Sequence, residues 1–579
     1  MNSKREFSMP RLPSLTAALV AALLAGGCEL DVENPNAPDA QRAFVDPSGL
    51  AQLLGGAFRT WVETRGDYYG GLPLVAMADN YTASWNNAAI RFYSSVGSDC
   101  PQRCGWTNSA TAPEAAGGPS IEFLWYGYNS VLSSANDVLA AIDGGLCFDD
   151  DCAADNTLTS RNKAIAKMLQ GMAYSGIALL YDQGFAVDET TDLSDPTALA
   201  FNTRTEMRDA AVAKFEDAWT EAGLKTWSTP SEWMGVGAGK SYTNQQVRRL
   251  IRTMQAEALA LWPRNAAENG GVAWAQVATF ASEGISTGAA FDWEFYIDVG
   301  GRECGLDCIK TWGNSVGTMR VDTRVAALVT TNHVDPWPEA AGGNPCPTVS
   351  ADRRVGDGSW GPSDDFNGYG TLAKTANAGT DFACSEVAIF PAARGQYHQS
   401  NLQHVRYNHL AYRGENLPGF DGTGQDPFYT REMNDLLWAE GLLRGGGSAA
   451  QAAGLINNSR VGRGGLSTLT GGEGQAALLA ALQYEQEIEF MGQGPTPFFN
   501  RRRVDGLIAG TPRHMPVPAK ELDVLVREIY TFGGAGKPDM SVVAGGTNGT
   551  TSKRTSVQSV REIWEGYRAR LGQLSSMRN

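Results

Sequence analysis

Apolar positions along most of the chain recur at the spacing of one helix face. Between positions 121 and 143, Ile121, Leu124, Trp125, Tyr128, Leu132, Val138, Leu139 and Ile142 form an i, i+3, i+4, i+7 stripe. A second helix is predicted over 161–184, where Gly171, Ala173, Ser175 and Gly176 keep one side thin enough for a neighbouring helix to approach closely. The same periodicity predicts helices beginning at Arg204, Asn244 and Val272. It returns in a second block with helices from Arg431, Ala449 and Gly474, and a last helix is expected over 555–574.

Between the two blocks, over about 288–425, periodicity fails. The stretch is rich in Gly, Asp and Pro, with isolated aromatics and four cysteines. So long an irregular segment in an ordered protein is usually functional or stapled. Several helices come as adjacent pairs, and Ala211, Phe215 and Ala218 follow the rhythm of a tetratricopeptide second helix. The repeat period is interrupted by insertions. The expected fold is therefore mainly α: a tetratricopeptide-like helix-pair scaffold with a long irregular, loop-rich region.

The amino-terminal pattern differs from everything after it. Lys4, Arg5 and Arg11 precede a short apolar run from Leu15, which falls below the ~20 residues that span a bilayer. Small residues Ala25, Gly26 and Gly27 then lead to Cys28. This resembles a bacterial lipobox, in which the cysteine is acylated and the chain is cut before it; an ordinary secretory signal is the alternative. The expected organisation is a signal peptide over 1–27, a lipid-anchored tether over 28–45 and one domain over 46–579. Within that domain, helical blocks over 46–287 and 426–579 flank a disulfide-stapled insert over 288–425.

Charge and cysteines narrow the setting. A formal net charge of -16 argues against nucleic acid and against docking on anionic lipid, since both select basic surfaces. Setting Cys28 aside leaves an even number of cysteines, several in close pairs: Cys100 with Cys104, Cys147 with Cys152, and Cys304 with Cys308. Cys346 and Cys384 remain. In an oxidising compartment, short-range disulfides are the natural reading, with nearest-neighbour pairing as the expectation. A zinc site is the competitor, but no histidine lies near these spacings. No metal and no cofactor are expected.

Catalytic patterns fail one by one. The stretch ending "GAGKS" needs a glycine where Met234 stands, so it is not a phosphate-binding loop. "GISTG" from Gly284 matches a nucleophile elbow, but a helix, not a strand, is predicted before it. No carboxylate pair stands out for glycoside hydrolysis. The chain is expected not to be an enzyme.

Several segments in order carry a family resemblance. "LDVENPN" follows the anchor, then comes the helical "DPSGLAQLLGGAFRTW" with "YYGGLPLVAMADNYTASWNN" after it. Late in the chain come Ala439-Glu440; Ile456-Asn457 with Arg460 and Arg463; Glu485 to Phe490 with Arg501 to Arg503; and Pro516-Val517-Pro518 with Glu521. This series resembles the SusD/RagB family of nutrient-binding outer-membrane lipoproteins. The chain departs from it at Met491-Gly492, where the family has Glu-Gly, and it lacks the family's Arg beyond that point and the Trp after the Arg pair. The resemblance implies an oligosaccharide or peptide ligand and a SusC-like TonB-dependent transporter as partner. It also implies an outer-membrane location, lipid-anchored and facing the cell surface, for which Glu29, Asp31 and Glu33 are compatible with an export signal. A surface-tethered hydrolase or a helical peptide-binding module is the alternative.

The expected ligand surface draws on aromatics beside amides, since a flat ring stacks on sugar C–H groups while an amide takes hydroxyls. The loop after the early helix offers Tyr81, Trp85, Asn86 and Asn87, and the irregular region adds Trp293, Tyr296 and Trp312. The resemblance raises Trp85 and Trp312 above the rest.

Overall fold

A computed structural model describes residues 46–67, 69–82, 90–94, 106, 108–109, 118–235, 239–297, 306–313, 319–337, 350–355, 379–384, 398–407 and 424–530. The leader, Cys28, the tether and the helix expected over 555–574 lie outside the described residues. The chain divides after Asp46, and the unit from Pro47 onward is mainly helical.

Its first part runs α1 (Pro47–Gly66), α2 (Leu72–Met77), β1 (Tyr81–Thr82), α3 (Ile90–Ser94), α4 (Gly118–Asp143) and α5 (Thr157–Leu180). Strands β2 (Gln183–Gly184) and β3 (Asn202–Thr203) lead into α6 (Arg204–Glu221), α7 (Asn244–Ala260), α8 (Ala266–Gly270) and α9 (Trp274–Ser282). Thr203 and Glu206 form a reciprocal capping box at the start of α6, and Thr243 with Gln246 does the same for α7. Each box satisfies amide groups that helix geometry leaves unpaired, worth about 1 kcal/mol.

The helices stack in sequence, α1 on α4, α4 on α5, α5 on α6, α6 on α7 and α7 on α9. The thin face expected on α5 is what permits this. A Cβ on Gly171 would lie 2.6 Å from the Phe215 ring of α6, and one on Gly176 would lie 2.3 Å from the Tyr128 ring of α4. Nothing larger than glycine fits either contact.

Within the stretch expected to be irregular, the described residues form regular elements. The stretch holds β4 (Trp293–Ile297), α10 (Cys308–Gly313), β5 (Arg320–Val321), α11 (Thr323–Val329), β6 (Phe382–Cys384) and β7 (Leu402–His404), and β8 (Gly424–Tyr429) closes it. The strands pair antiparallel as β1–β5, β4–β8 and β6–β7. Such short strands leave no readable alternation, and their partners are remote in the chain.

After it come α12 (Arg431–Arg444), α13 (Ala449–Arg460), α14 (Gln475–Glu489), α15 (Thr496–Arg502) and α16 (Ala519–Val524). Helix α12 packs directly on α9, so closely that a Cβ on Gly441 would lie 2.6 Å from the Ala278 amide nitrogen. The two helical blocks are thus one scaffold, and the insert is an excursion from it. In the turn between α4 and α5, Cys147 and Cys152 form the expected disulfide. Cys308 is also disulfide-bonded. Cys384 is described in backbone only, and Cys100, Cys104, Cys304 and Cys346 lie outside the described residues.

The late motif residues are buried in ion networks. Arg503 grips Glu440 through two bonds of 2.7 and 2.6 Å, while Gln486 donates to the same carboxylate at 2.8 Å. This joins α12, α14 and the end of α15. Arg354 of the insert bonds Glu485 at 2.8 Å and Glu489 at 2.7 Å, and Arg406 and Arg463 both contact Glu489. Arg502 donates to the carbonyls of Leu261, Trp262 and Pro263, which closes the C-terminal end of α7. Gly492 turns with φ 77° at a point where a Cβ would lie 2.8 Å from the Tyr407 ring, so this glycine of the motif is required by space and by backbone.

Burial alone would raise the Glu440 carboxyl, but Arg503 and Arg444 outweigh it and hold it at about 2. A carboxyl lowered on folding stabilises above its unfolded value near 4.5, and that stability is lost as pH falls toward 2. The contribution is about 3 kcal/mol. Arg503→Ala, which strands the Glu440 charge, is expected to cost about 3–5 kcal/mol in urea unfolding at pH 7. The difference between wild type and variant should shrink as pH falls below about 4.

Candidate functional site

Segments far apart in sequence meet beside Tyr81. Strand β1 carries it against β5, and β5 lies next to β7, where the Ser400 amide donates to the Val321 carbonyl at 3.1 Å. The Tyr81 hydroxyl is 2.7 Å from His404 Nδ1. A Cβ on Gly313 would lie 2.9 Å from the Tyr81 ring, so the end of α10, next to Trp312, packs against it. Burial, with the charges of Tyr407 and Asp307, pushes the Tyr81 hydroxyl well above its ordinary range. Burial also pushes His404 down to about 3, helped by the cations Arg406, Arg463 and Lys310. Both partners therefore stay neutral near pH 7, and the contact is a fixed polar strut.

Helix α10 is anchored from within. Lys310 is buried and donates to Asp307 at 3.1 Å, to the Pro427 carbonyl at 2.8 Å and to Asp426. Its ammonium also sits 4.4 Å from the Phe428 ring centre. Burial would lower its pKa, but Asp426 and Asp307 outweigh that and hold it above the ordinary value. Lys310 thus ties α10 to β8 and fixes where Trp312 lies.

Strand β4 presents two unlike faces. Trp293, Phe295 and Ile297 are buried, whereas Glu294 and Tyr296 are half-buried on the other side. Trp293 packs 5.8 Å from Phe58, 5.6 Å from Trp61 and 4.8 Å from Phe295, measured between ring centres. Tyr296 stands opposite Gln425 of β8, and its neighbour Glu294 is paired with Lys240. Chemically, this outer face offers a ring edge or face for stacking, with a carboxylate, an ammonium and an amide beside it.

The residues singled out from sequence therefore separate. Tyr81 is fully buried, and Trp293 and Trp312 are each 1% exposed. The expectation that these three present a surface to a ligand is corrected: their rings fill the interior, Trp293 within an aromatic cluster and Tyr81 on its histidine strut. Tyr296 alone among the described candidates keeps exposed surface. Trp85, Asn86 and Asn87 follow β1 directly in the chain and lie outside the described residues.

Sequence reasoning missed His404, Tyr407, Lys310 and Asp426. A lysine inside the apolar run Cys308, Ile309, Trp312 was a readable sign of a buried charge, but its partner Asp426 is 116 positions away. A separate groove of about 290 Å³, lined in part by Arg208, Trp262, Glu268 and Gln276, collects none of the candidates.

No protein-family model matches the chain, and no curated protein does. Solved structures do match. A SusD homolog from Bacteroides thetaiotaomicron VPI-5482 aligns with a TM-score of 0.55 at 14% identity, over 85% of this chain and 97% of that one. The chain has the SusD-like fold. A SusD-like carbohydrate binding protein from Bacteroides fragilis NCTC 9343 aligns with a TM-score of 0.52 at 11% identity, over 79% of this chain and 86% of that one. In this SusD-like fold the scaffold runs through both helical blocks, and the insert carries β4, α10 and the strands around Tyr81.

The two faces of β4 give opposite expectations for alanine. Trp293→Ala should lower unfolding stability by about 3–5 kcal/mol, as core truncations of that size do. Trp312→Ala should fall in the same range, about 3–5 kcal/mol. Tyr296→Ala should change it by roughly 1 kcal/mol or less. Denaturant midpoints of the three variants check this.

Proposed function

We propose that this chain is a member of the SusD/RagB family that captures a glycan and hands it to a SusC-like TonB-dependent transporter, held at the outer membrane by lipid on Cys28. The observation that carries this reading is the SusD-like fold over most of the chain. A neighbour of that fold is described as carbohydrate-binding, which supports a glycan as ligand. The leader ending in Ala25, Gly26, Gly27 and Cys28 supports the anchor. No helix among the described residues is long and apolar enough to cross a membrane. The protein binds its ligand and does not transform it.

The ligand-contacting residues in this reading are Trp85, Asn86 and Asn87 and, on the outer face of β4, Tyr296. A stacked ring beside amides discriminates sugars by shape and hydroxyl pattern without needing a charged ligand.

Three measurements test the proposal. Cys28→Ala should move the protein from the membrane to the soluble fraction and abolish acyl labelling. Mild detergent extraction should copurify a large barrel subunit with the wild type. On a glycan array, Trp85→Ala and Tyr296→Ala should each lose at least about tenfold in affinity, the scale of about 1.4 kcal/mol, with unchanged melting temperature. Normal binding by both variants, or binding accompanied by glycan cleavage, would overturn the assignment.

A further inference from the structure

A second cluster of chemistry-bearing side chains lies at the root of the insert. One ligand atom each from Asp322, Asp335 and His398 falls within 4.8 Å of the others. The three come from separate segments locked to one another. Asp322 follows β5 and caps α11, with its side chain accepting from the Arg324 amide at 2.9 Å. Asp335 lies beyond α11 and accepts from the Thr323 hydroxyl at 2.9 Å. His398 immediately precedes Gln399, which forms an antiparallel bridge to Asp322. The backbone therefore holds the cluster; it is not an accident of flexible side chains.

An independent observation points into the same place. Asn80 is 0% exposed, and neither its amide oxygen nor its amide nitrogen has a hydrogen-bond partner. A buried amide left unpaired costs about 1–3 kcal/mol, so such a group calls for a ligand. The Asp322 amide donates to the Asn80 carbonyl at 3.0 Å, which continues the register Tyr81↔Val321 by one step. Residues opposite each other in an antiparallel pairing send their side chains to the same side, which puts the Asn80 side chain on the side of the pairing that carries Asp322.

One local cation, Arg324, faces the Asp322 carboxylate, which Asp79 and Asp335 surround with further negative charge. Arg324 also donates to the Asp79 carbonyl at 3.0 Å and to Glu487 at 2.9 Å, so its charge is shared among several acceptors. Access is open on one side, because Asp322 is buried, His398 half-buried and Asp335 exposed.

We propose that Asp322, Asp335 and His398, with the Asn80 amide oxygen beside them, form a divalent metal site selective for a zinc-class cation. Two carboxylates and one imidazole suit zinc, which accepts mixed oxygen and nitrogen donors at low coordination number. Calcium and magnesium sites are built from oxygen donors, and calcium needs six to eight of them. The absence of metal expected from the cysteine spacings does not bear on this cluster, which contains no cysteine. A bound cation would pin the β5–α11 corner and the strand leading to His404 onto the scaffold residue Asn80. It would thereby brace the ground beneath Tyr81.

The test uses the purified chain, stripped with a chelator and titrated calorimetrically with zinc chloride and, separately, with calcium chloride. One zinc equivalent should bind saturably, and zinc should raise the melting temperature. His398→Gln and Asp335→Asn should each weaken zinc binding at least about tenfold and remove the thermal shift. Asp335 is exposed, so that variant carries the comparison if His398→Gln does not fold. The proposal is overturned by no saturable zinc binding, by zinc binding of equal affinity in a folded variant, or by a preference for calcium over zinc.

Discussion

Glu489 is a carboxylate with no exposed side-chain surface, met by Arg354, Arg406 and Arg463 at once. Burying a charge without a partner is prohibitive, so wherever α14 goes these guanidiniums must follow. Arg354 and Arg406 belong to the insert, while Arg463 follows α13. The need to neutralise one helix's acids therefore fixes how the insert returns to the scaffold. Burial opposes ionisation of Glu489, but the three arginines overcome it and hold the carboxyl below its ordinary range. Glu440 and Arg503 repeat the same logic between α12 and the end of α15.

With the insert tied down in this way, its aromatic residues acquire unlike fates. Trp293 and Tyr296 are three positions apart on one short strand, yet opposite pleat faces send one into the Phe58–Trp61 cluster and leave the other half-exposed. Large rings serve equally well as core or as ligand platform, because the same apolar area drives both. The difference is made by what crosses over each face. A rigid scaffold carrying loops of this kind is the arrangement in which binding residues are held without being buried.

Polar groups in the insert follow a second pattern. Tyr81 with His404, and Lys310 with Asp307 and Asp426, are paired inside the protein. Asn80 has no hydrogen-bond partner for its side chain, and its backbone bonds Asp322, which converges with Asp335 and His398. Satisfied groups explain rigidity, whereas an unsatisfied one asks for something further. That contrast separates the struts beneath the candidate ligand surface from the proposed cation site.

Helices α4 to α7, α9 and α12 to α14 were legible along the chain, because a helix declares itself within four residues. Its apolar stripe, its Thr203 or Thr243 cap and the small residues at Gly171 and Gly176 are all local. The Cys147–Cys152 bridge was legible for the same reason, as its partners are 5 positions apart. The motif series at Glu440, Glu485–Phe490 and Arg501–Arg503 pointed to the right fold, although nothing in its spacing says that these charges are buried together. Which tryptophans face solvent, which acid meets Lys310, and that His398 lies by Asp322 were decided only by tertiary structure. Each depends on segments many tens of residues apart crossing at one point, and single-chain periodicity carries no record of such crossings.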